Sequence, residues 1–457
     1  MKIFNSLFPI LCGVLLVFSA CEKPEMLEKQ TLENPETSKS KTTYSLSGWM
    51  GLIDDNARIS EISIPGSHDS GAEYEPFPGT AKCQNLSIDD QLNAGIRFLD
   101  IRCRHIGNAF AIHHGSVYQN QNFDNVLDAC ISFLNRNSSE CIIMCIKEEY
   151  DPENNTRGFE ETFDTYVAQN PGIWYFGDNL PELGKVRGKI VLFRRFGSNN
   201  LPKGIDAYWW QNNTTFSTGV LRVQDCYDVS DVNTKWNQVT SLFDEATSGG
   251  SGTLYVNFTS GVKTIVGIPS ITSVSNPINS DIDSYFSSNL KGRFGSILMD
   301  FADANKSSLI IRTNFIENGT YKVINYQSSL ALDLSGGSTD NGADVIQWAY
   351  HGGNNQKWTF TDIGEGYYKI INYMSDKALD VAGGSTSNGG DIIQWTYQGG
   401  ANQQWHVVFN GYNAFRLINR NSRKVIDVSG GSVSNGADVI QWTSTRGNNQ
   451  RWLIQAL

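Results

Sequence analysis

The chain has 457 residues, 40% of them hydrophobic, enough to bury more than one core, and ordinary domain sizes suggest two domains. A formal charge of −11 excludes binding of nucleic acid or of an anionic bilayer through a broad basic face, so any lipid recognition has to be local. In chain order, Lys2 precedes an apolar run from Ile3 to Phe18 and then Ser19-Ala20-Cys21. A short hydrophobic segment ending in small residues reads as an export signal rather than a membrane span. Residues 22–43 are rich in Glu, Lys, Ser and Thr with few large apolar groups. Such a segment cannot offset the entropy of ordering and reads as a tether.

The Ser-Ala-Cys ending resembles a bacterial lipoprotein lipobox, which implies a signal peptide over 1–20, cleavage before Cys21, acylation of its thiol and a tether over 21–43. The expected location is that of an exported lipoprotein, on the bacterial outer membrane or cell surface. Six cysteines follow: Cys83, Cys103, Cys130, Cys141, Cys145 and Cys226. Export permits disulfides, but Cys141 and Cys145 lie in an apolar, strand-like run with no second metal-type pair after it, so buried free thiols are expected.

Between Tyr44 and Asn318, short apolar runs alternate with amphipathic stretches, such as Phe123, Val126, Leu127, Cys130, Ile131 and Leu134 at helical spacing, which predicts α/β units. His68 follows Ile62-Ser-Ile, Arg102 ends Phe98-Leu-Asp-Ile, His114 follows Phe110-Ala-Ile, and Lys147 ends Ile142-Ile-Met-Cys-Ile. Arg195 follows Ile190-Val-Leu-Phe, Asp225 follows Val220-Leu-Arg-Val, and Asp300 ends Ile297-Leu-Met. Seven strand-like runs thus each deliver a polar group at the C-terminal end. In a (β/α) barrel those ends converge on one face, where active sites form.

The strings Ile64-Pro-Gly-Ser-His-Asp-Ser, Arg97-Phe-Leu-Asp-Ile-Arg, His113-His-Gly, Ile142-Ile-Met-Cys-Ile-Lys, Arg187-Gly-Lys-Ile-Val-Leu, Val223-Gln-Asp-Cys-Tyr and Leu298-Met-Asp resemble bacterial phosphatidylinositol-specific phospholipases C. The resemblance implies a distorted TIM-type barrel over 44–315 that cleaves an inositol phosphodiester. It implies His68 as general base toward the inositol 2-hydroxyl and His114 as acid toward the departing diacylglycerol oxygen, supported by Asp300 and Asp69 respectively. Arg102 would neutralise the phosphoryl oxygens. Metal-dependent relatives have a carboxylate at the place of Arg102, so a metal-free, cofactor-free enzyme giving a cyclic inositol phosphate is expected. Lys147, Arg195 and Asp225 suit the inositol hydroxyls, and Tyr227 offers a flat surface for the ring.

From Tyr321 the sequence repeats at a step of 47 residues, the mark of one supersecondary unit copied in space. Ala331-Leu-Asp-Leu-Ser-Gly-Gly-Ser, Ala378-Leu-Asp-Val-Ala-Gly-Gly-Ser and Val425-Ile-Asp-Val-Ser-Gly-Gly-Ser align, as do Gln356/Trp358, Gln403/Trp405 and Gln450/Trp452. Short alternating apolar runs between Gly/Ser/Asn turns predict strands and hairpins. Three units with Gln-x-Trp resemble the ricin-type β-trefoil, which implies an all-β lectin domain over 316–457. The implied sugar sites are Asp333, Tyr350 and Asn355 in the first lobe and Asp380, Tyr397 and Asn402 in the second. The third keeps Asp427 and Asn449 but has Ser444 in place of tyrosine.

The whole chain is thus expected to be an α/β barrel followed by an all-β trefoil, monomeric, binding glycans through the trefoil and cleaving phosphatidylinositol or glycosyl-phosphatidylinositol (GPI) anchors. A glycerophosphodiester phosphodiesterase and a glycan-binding lipoprotein with an inactive barrel stand as alternatives.

Overall fold

Runs of β-branched and aromatic residues buried on both faces are the sequence form of parallel strands flanked by helices. The computed structural model describes residues 44–457; the predicted signal, Cys21 and the tether lie outside the described residues. Seven main parallel strands carry the barrel of the first half: β1 (Ile64–Ser67), β2 (Phe98–Ile106), β3 (Ile142–Glu148), β4 (Ile190–Arg195), β5 (Leu221–Asp225), β6 (Leu254–Phe258) and β7 (Ser296–Met299), with the two-residue strands Trp174–Tyr175 and Ile205–Asp206 parallel to β4. They lie in the order β4-β3-β2-β1-β7-β6-β5, and the ladder is left unclosed between the outer strands, so the barrel is distorted. Gly66 allows the crowded approach of β1 to its neighbours, since a Cβ there would stand 3.0 Å from the Phe98 Cβ and 3.1 Å from the Leu298 Cγ.

Side chains alternate strictly along these strands. Met144, Ile146, Ile190, Leu192 and Ile297 face the outer helices in one core, while Ile64, Phe98, Ile143, Cys145, Phe193, Val223 and Leu298 fill the barrel interior in another. The helix predicted around Phe123 spans Phe123–Arg136 and buries Phe123, Val126, Leu127, Cys130, Phe133 and Leu134. Cys83, Cys103, Cys130, Cys141, Cys145 and Cys226 are free thiols, all but Cys226 buried.

Two features depart from the sequence reading. The run Phe110-Ala-Ile is not a barrel strand; Ala109–His114 folds back antiparallel on β2, with Ile112 opposite Cys103. The barrel strand β6 carries none of the predicted site residues, because its interior groups are apolar.

Phe315 packs into the barrel core and Ile316 into the next one, so the two cores meet at adjacent residues. The second half is antiparallel and repeats a strand pattern three times, including Ala331–Leu334, Ala378–Val381 and Val425–Val428. Trp358, Trp405 and Trp452 are fully buried, and their indole N–H groups donate to the carbonyls of Leu332, Leu379 and Ile426 at 2.9, 3.0 and 3.3 Å. Gln347, Gln394 and Gln441 are buried too, each donating to main-chain carbonyls of a neighbouring lobe. No helix among the described residues is long and apolar enough to cross a membrane.

Candidate active site

Strand register builds the site. Ser67 pairs with Met299, so His68 and Asp300 leave β1 and β7 side by side. Arg102, Lys147 and Arg195 are in direct register across β2, β3 and β4, which sets three cations in one row. Each of these residues shares the parity of the interior-facing apolar side chains before it, as Lys147 follows Ile143 and Cys145. Alternation therefore aims all of them into the barrel mouth.

His68 is clamped at both nitrogens. Arg102 Nη2 lies 2.6 Å from His68 Nε2, and His68 Nδ1 lies 2.8 Å from Asp300 Oδ1. A guanidinium only donates, so Nε2 carries the lone pair and Nδ1–H donates to Asp300. That tautomer leaves the basic nitrogen on the side of the arginine. Gln84, absent from the sequence reading, donates to the His68 carbonyl at 2.7 Å and fixes the main chain beneath it.

Arg102 also donates to Asp100 Oδ2 through Nε and Nη2, both at 3.2 Å, and stands 3.6 Å from Asp69 and 4.0 Å from Glu149. Burial alone would raise the Asp100 carboxyl, but Arg102 and Arg195 together hold it well below the usual carboxylate range. Burial works equally against Glu149, which Arg102 and Lys147 pull down to about 2. Asp69 is different: burial outweighs Arg102 and the histidines, and its carboxyl is raised. Neither Asp69 oxygen has a hydrogen-bond partner among the described residues, and its backbone φ is +39°. A non-glycine residue in that region holds local strain, which buried sites tolerate where function demands it.

His114 reaches the mouth from the hairpin rather than from a barrel strand. Its Nδ1–H donates to the Ala81 carbonyl at 2.7 Å, and its Nε2 stands 4.0 Å from Asp69 Oδ2. The orienting hydrogen bond therefore comes from a main-chain oxygen, and Asp69 faces the opposite nitrogen, where a proton would be carried. Nothing in side-chain spacing signals a main-chain acceptor.

Around this centre, Lys147 donates to Glu149 at 2.6 Å. Trp210 links two other predicted residues: its indole N–H donates to Asp225 at 2.9 Å while the Arg195 guanidinium lies 3.7 Å over its ring. Tyr227 sits at the rim and donates to Asn212 at 2.7 Å. Glu149 and Trp210 were missed in the sequence. Glu149 was legible, since it continues the parity of Cys145 and Lys147; Trp210 lay in an aromatic loop run with no periodic signal.

Two donor sets, His68/Cys83/Asp300 and Asp69/Cys83/His114, gather within 4.8 Å. Burial, and then Asp300, push the Cys83 thiol well above its usual value, which makes it a poor thiolate ligand. Calcium wants six to eight oxygens, whereas Asp100 and Asp69 face Arg102.

The loops after the strands carry exposed apolar groups: Phe77 after β1, Tyr208 and Trp209 after β4, and Ile265, Val266 and Ile268 after β6. Val266 is 98% exposed at the tip of a hairpin formed by Lys263–Ile265 and Ile268–Ser270. Such a rim around a polar mouth is suited to an apolar surface.

In the second half, Asn355 donates to Asp333 and Asn402 to Asp380, both at 3.0 Å. Lys322 lies 4.9 Å over the Tyr350 ring and Lys369 5.3 Å over that of Tyr397. The structure thus brings each predicted Asp/Asn pair together, with the tyrosine backed by a lysine.

A parallel barrel with two histidines and an arginine at its C-terminal mouth has the groups that acid–base cleavage of a phosphodiester calls for. Residues 56–196 match the family described as phosphatidylinositol-specific phospholipase C, X domain, and residues 312–395 and 401–457 match the ricin-type beta-trefoil lectin domain-like family. A 1-phosphatidylinositol phosphodiesterase of Staphylococcus aureus (strain Newman) is 35% identical over 275 residues, covering 56% of this chain and 88% of that protein. One from Listeria monocytogenes is 26% identical over 286 residues, covering 60% and 87%. A solved structure of the S. aureus phosphatidylinositol-specific phospholipase C carrying pentafluoro-Phe superimposes with a TM-score of 0.56 at 32% identity, over 59% of this chain and 98% of that one. The chain belongs to the bacterial phosphatidylinositol-specific phospholipase C family, with a ricin-type trefoil appended.

Proposed function

We propose that this enzyme cleaves phosphatidylinositol to diacylglycerol and inositol 1,2-cyclic phosphate by metal-independent acid–base catalysis. The observation that carries the reading is the two-sided clamp on His68, with Arg102 at Nε2 and Asp300 at Nδ1. Nε2 takes the proton of the inositol 2-hydroxyl, Asp300 balances the imidazolium, and Arg102 turns its fork to the phosphoryl oxygens as negative charge gathers there. The 2-hydroxyl oxygen attacks phosphorus and forms the ring, the bond to the glycerol oxygen breaks, and His114 gives that oxygen its proton while Asp69 steadies the charged ring. Lys147, Arg195 and Asp225 bind inositol hydroxyls, and the apolar rim meets the lipid. The exported lipoprotein, anchored through Cys21, uses Asp333, Tyr350, Asn355, Asp380, Tyr397 and Asn402 to hold glycans near its substrate, GPI anchors included.

The test is release of water-soluble inositol phosphate from phosphatidylinositol vesicles, with excess chelator and then with added Ca²⁺. Turnover unchanged by chelator, with a cyclic product, is expected. Turnover only with Ca²⁺ overturns the role of Arg102.

A further inference from the structure

Three copies of one unit in a single chain provide an internal control. At the step of 47 residues, Lys322 and Lys369 correspond to Arg416, Tyr350 and Tyr397 to Ser444, and Gly352 and Gly399 to Arg446. In the first two lobes the lysine covers the tyrosine ring of the proposed sugar site. In the third, every one of these positions has changed, and each new side chain is used elsewhere. Arg416, fully buried, donates to Ser444 Oγ at 3.2 Å and to Glu61 at 2.9 Å. Arg446 donates to the same Glu61 carboxylate at 3.3 Å and to the Asn56 carbonyl at 2.8 Å, and reaches Glu182 at 3.4 Å.

The backbone makes the exchange more telling. Gly352 and Gly399 have φ of +78° and +75°, and Arg446 keeps that left-handed turn at +57°. A side chain there is strained, so the position holds arginine against its conformational preference. Arg423, with φ of +60°, is a contrast: its counterparts Ser329 and Asp376 share the same sign without being glycine.

Glu61, Asn56 and Glu182 precede β1 and β4, at the end of the barrel opposite the histidines. The surroundings agree: Val408, Ile418 and Val425 of the trefoil join Trp49, Met50, Ile59 and Ile62 in one apolar cluster, and Arg423 pairs with buried Asp54 at 2.6 Å. Tyr412 and Asn413 donate main-chain N–H groups to the carbonyls of Gly249 and Thr247, which lie ahead of β6.

We infer that the third lobe's ligand site has become a docking latch for the N-terminal face of the barrel, formed by Arg416, Ser444 and Arg446 around Glu61. Where the sugar-binding reading of the other lobes holds, the trefoil is divalent, and its glycans are gripped on the side away from the lipid-facing mouth. The latch itself stands apart from that reading.

The test restores the residues of the other lobes in the full chain, Arg416→Lys with Ser444→Tyr and Arg446→Gly. Calorimetry is expected to show one unfolding transition for the parent and two for the triple variant, with initial rates of phosphatidylinositol cleavage kept within about twofold below the first transition. An unchanged single transition overturns the latch. Because the triple variant tests three contacts at once, Glu61→Gln and Arg446→Gly are also measured singly and together. Losses in midpoint temperature that fall short of additive support direct coupling across the contact, and additive losses overturn it.

Discussion

The barrel and the trefoil carry their functional residues in opposite ways. In the barrel, His68, Arg102, His114 and Asp300 are scattered over more than half the domain and meet only because parallel strands in register bring the ends carrying His68, Arg102 and Asp300 together, while an antiparallel hairpin on β2 brings in His114. In the trefoil, Asp333 with Asn355 and Asp380 with Asn402 are local to one lobe and recur at a fixed step. One region makes a single asymmetric site in which five acids, Asp69, Asp100, Glu149, Asp225 and Asp300, surround the three cations Arg102, Lys147 and Arg195; the other makes copies of a modest one. The lesson is that a charge in the barrel is indispensable in a way that a charge in a repeat is not, because the repeat can lose one copy and use its residues elsewhere.

The largest expected effect separates the regions most sharply. His68→Ala and His114→Ala should each lower turnover on phosphatidylinositol vesicles by about 10³-fold or more, with melting temperatures close to the parent. Rates within tenfold of the parent in either variant would mean that the proton is handled elsewhere. Second in size are the buried tryptophans, which test whether the copies are energetically equivalent. Trp358→Ala, Trp405→Ala and Trp452→Ala should each cost about 3–5 kcal/mol in chemical denaturation, because each removes a fully buried indole and its hydrogen bond. A spread among them much wider than about 1 kcal/mol would show that the pseudo-threefold core is not shared evenly.

Much of this was legible because alternation and repetition are both visible in a linear string. Parity along Ile142-Ile-Met-Cys-Ile-Lys points Lys147 inward, and the same parity assigns Arg195 and Asp300. The step of 47 places the sugar-site candidates without any structure. What escaped has a physical reason in each case. The strand carrying His114 has the same apolar alternation as a barrel strand, and only its pairing with β2 reveals a hairpin. The partner of His114 Nδ1 is a main-chain carbonyl, which has no sequence signature. Trp210 acts between Arg195 and Asp225 from a loop, and Arg446 gains meaning only when Glu61, 385 positions earlier, lies beside it.

Acidification probes the charge balance of the barrel. Glu149 has its carboxyl lowered from 4.5 to about 2 by Arg102 and Lys147 against the effect of burial. A depressed native value favours the folded state above the unfolded pKa, so this contribution is fully present above pH 4.5 and is lost as pH falls toward 2. Its size is about 3 kcal/mol. Glu149→Gln should flatten the acid limb of the stability–pH curve by a comparable amount, followed by denaturation at pH 7, 4 and 3. An acid limb parallel to the parent would remove Glu149 from the balance.

The smallest expected effects lie in the sugar sites, and they return to the contrast between one site and copies. Tyr350 and Tyr397 are each backed by a lysine and offer an aromatic face, worth about 1 kcal/mol to a bound ring. Tyr350→Ala or Tyr397→Ala alone should therefore weaken binding on a glycan array by about fivefold, because the other lobe still holds. Losing both should do more than the sum, since two linked sites raise each other's effective concentration. Turnover on glycan-free vesicles should not change in any of these variants, because each tyrosine sits against a lysine of its own lobe and neither belongs to the barrel mouth that carries the histidines. Equal binding by single and double variants would place the glycan contact elsewhere, with the exposed Trp348 and Trp395 as the next aromatic faces to remove.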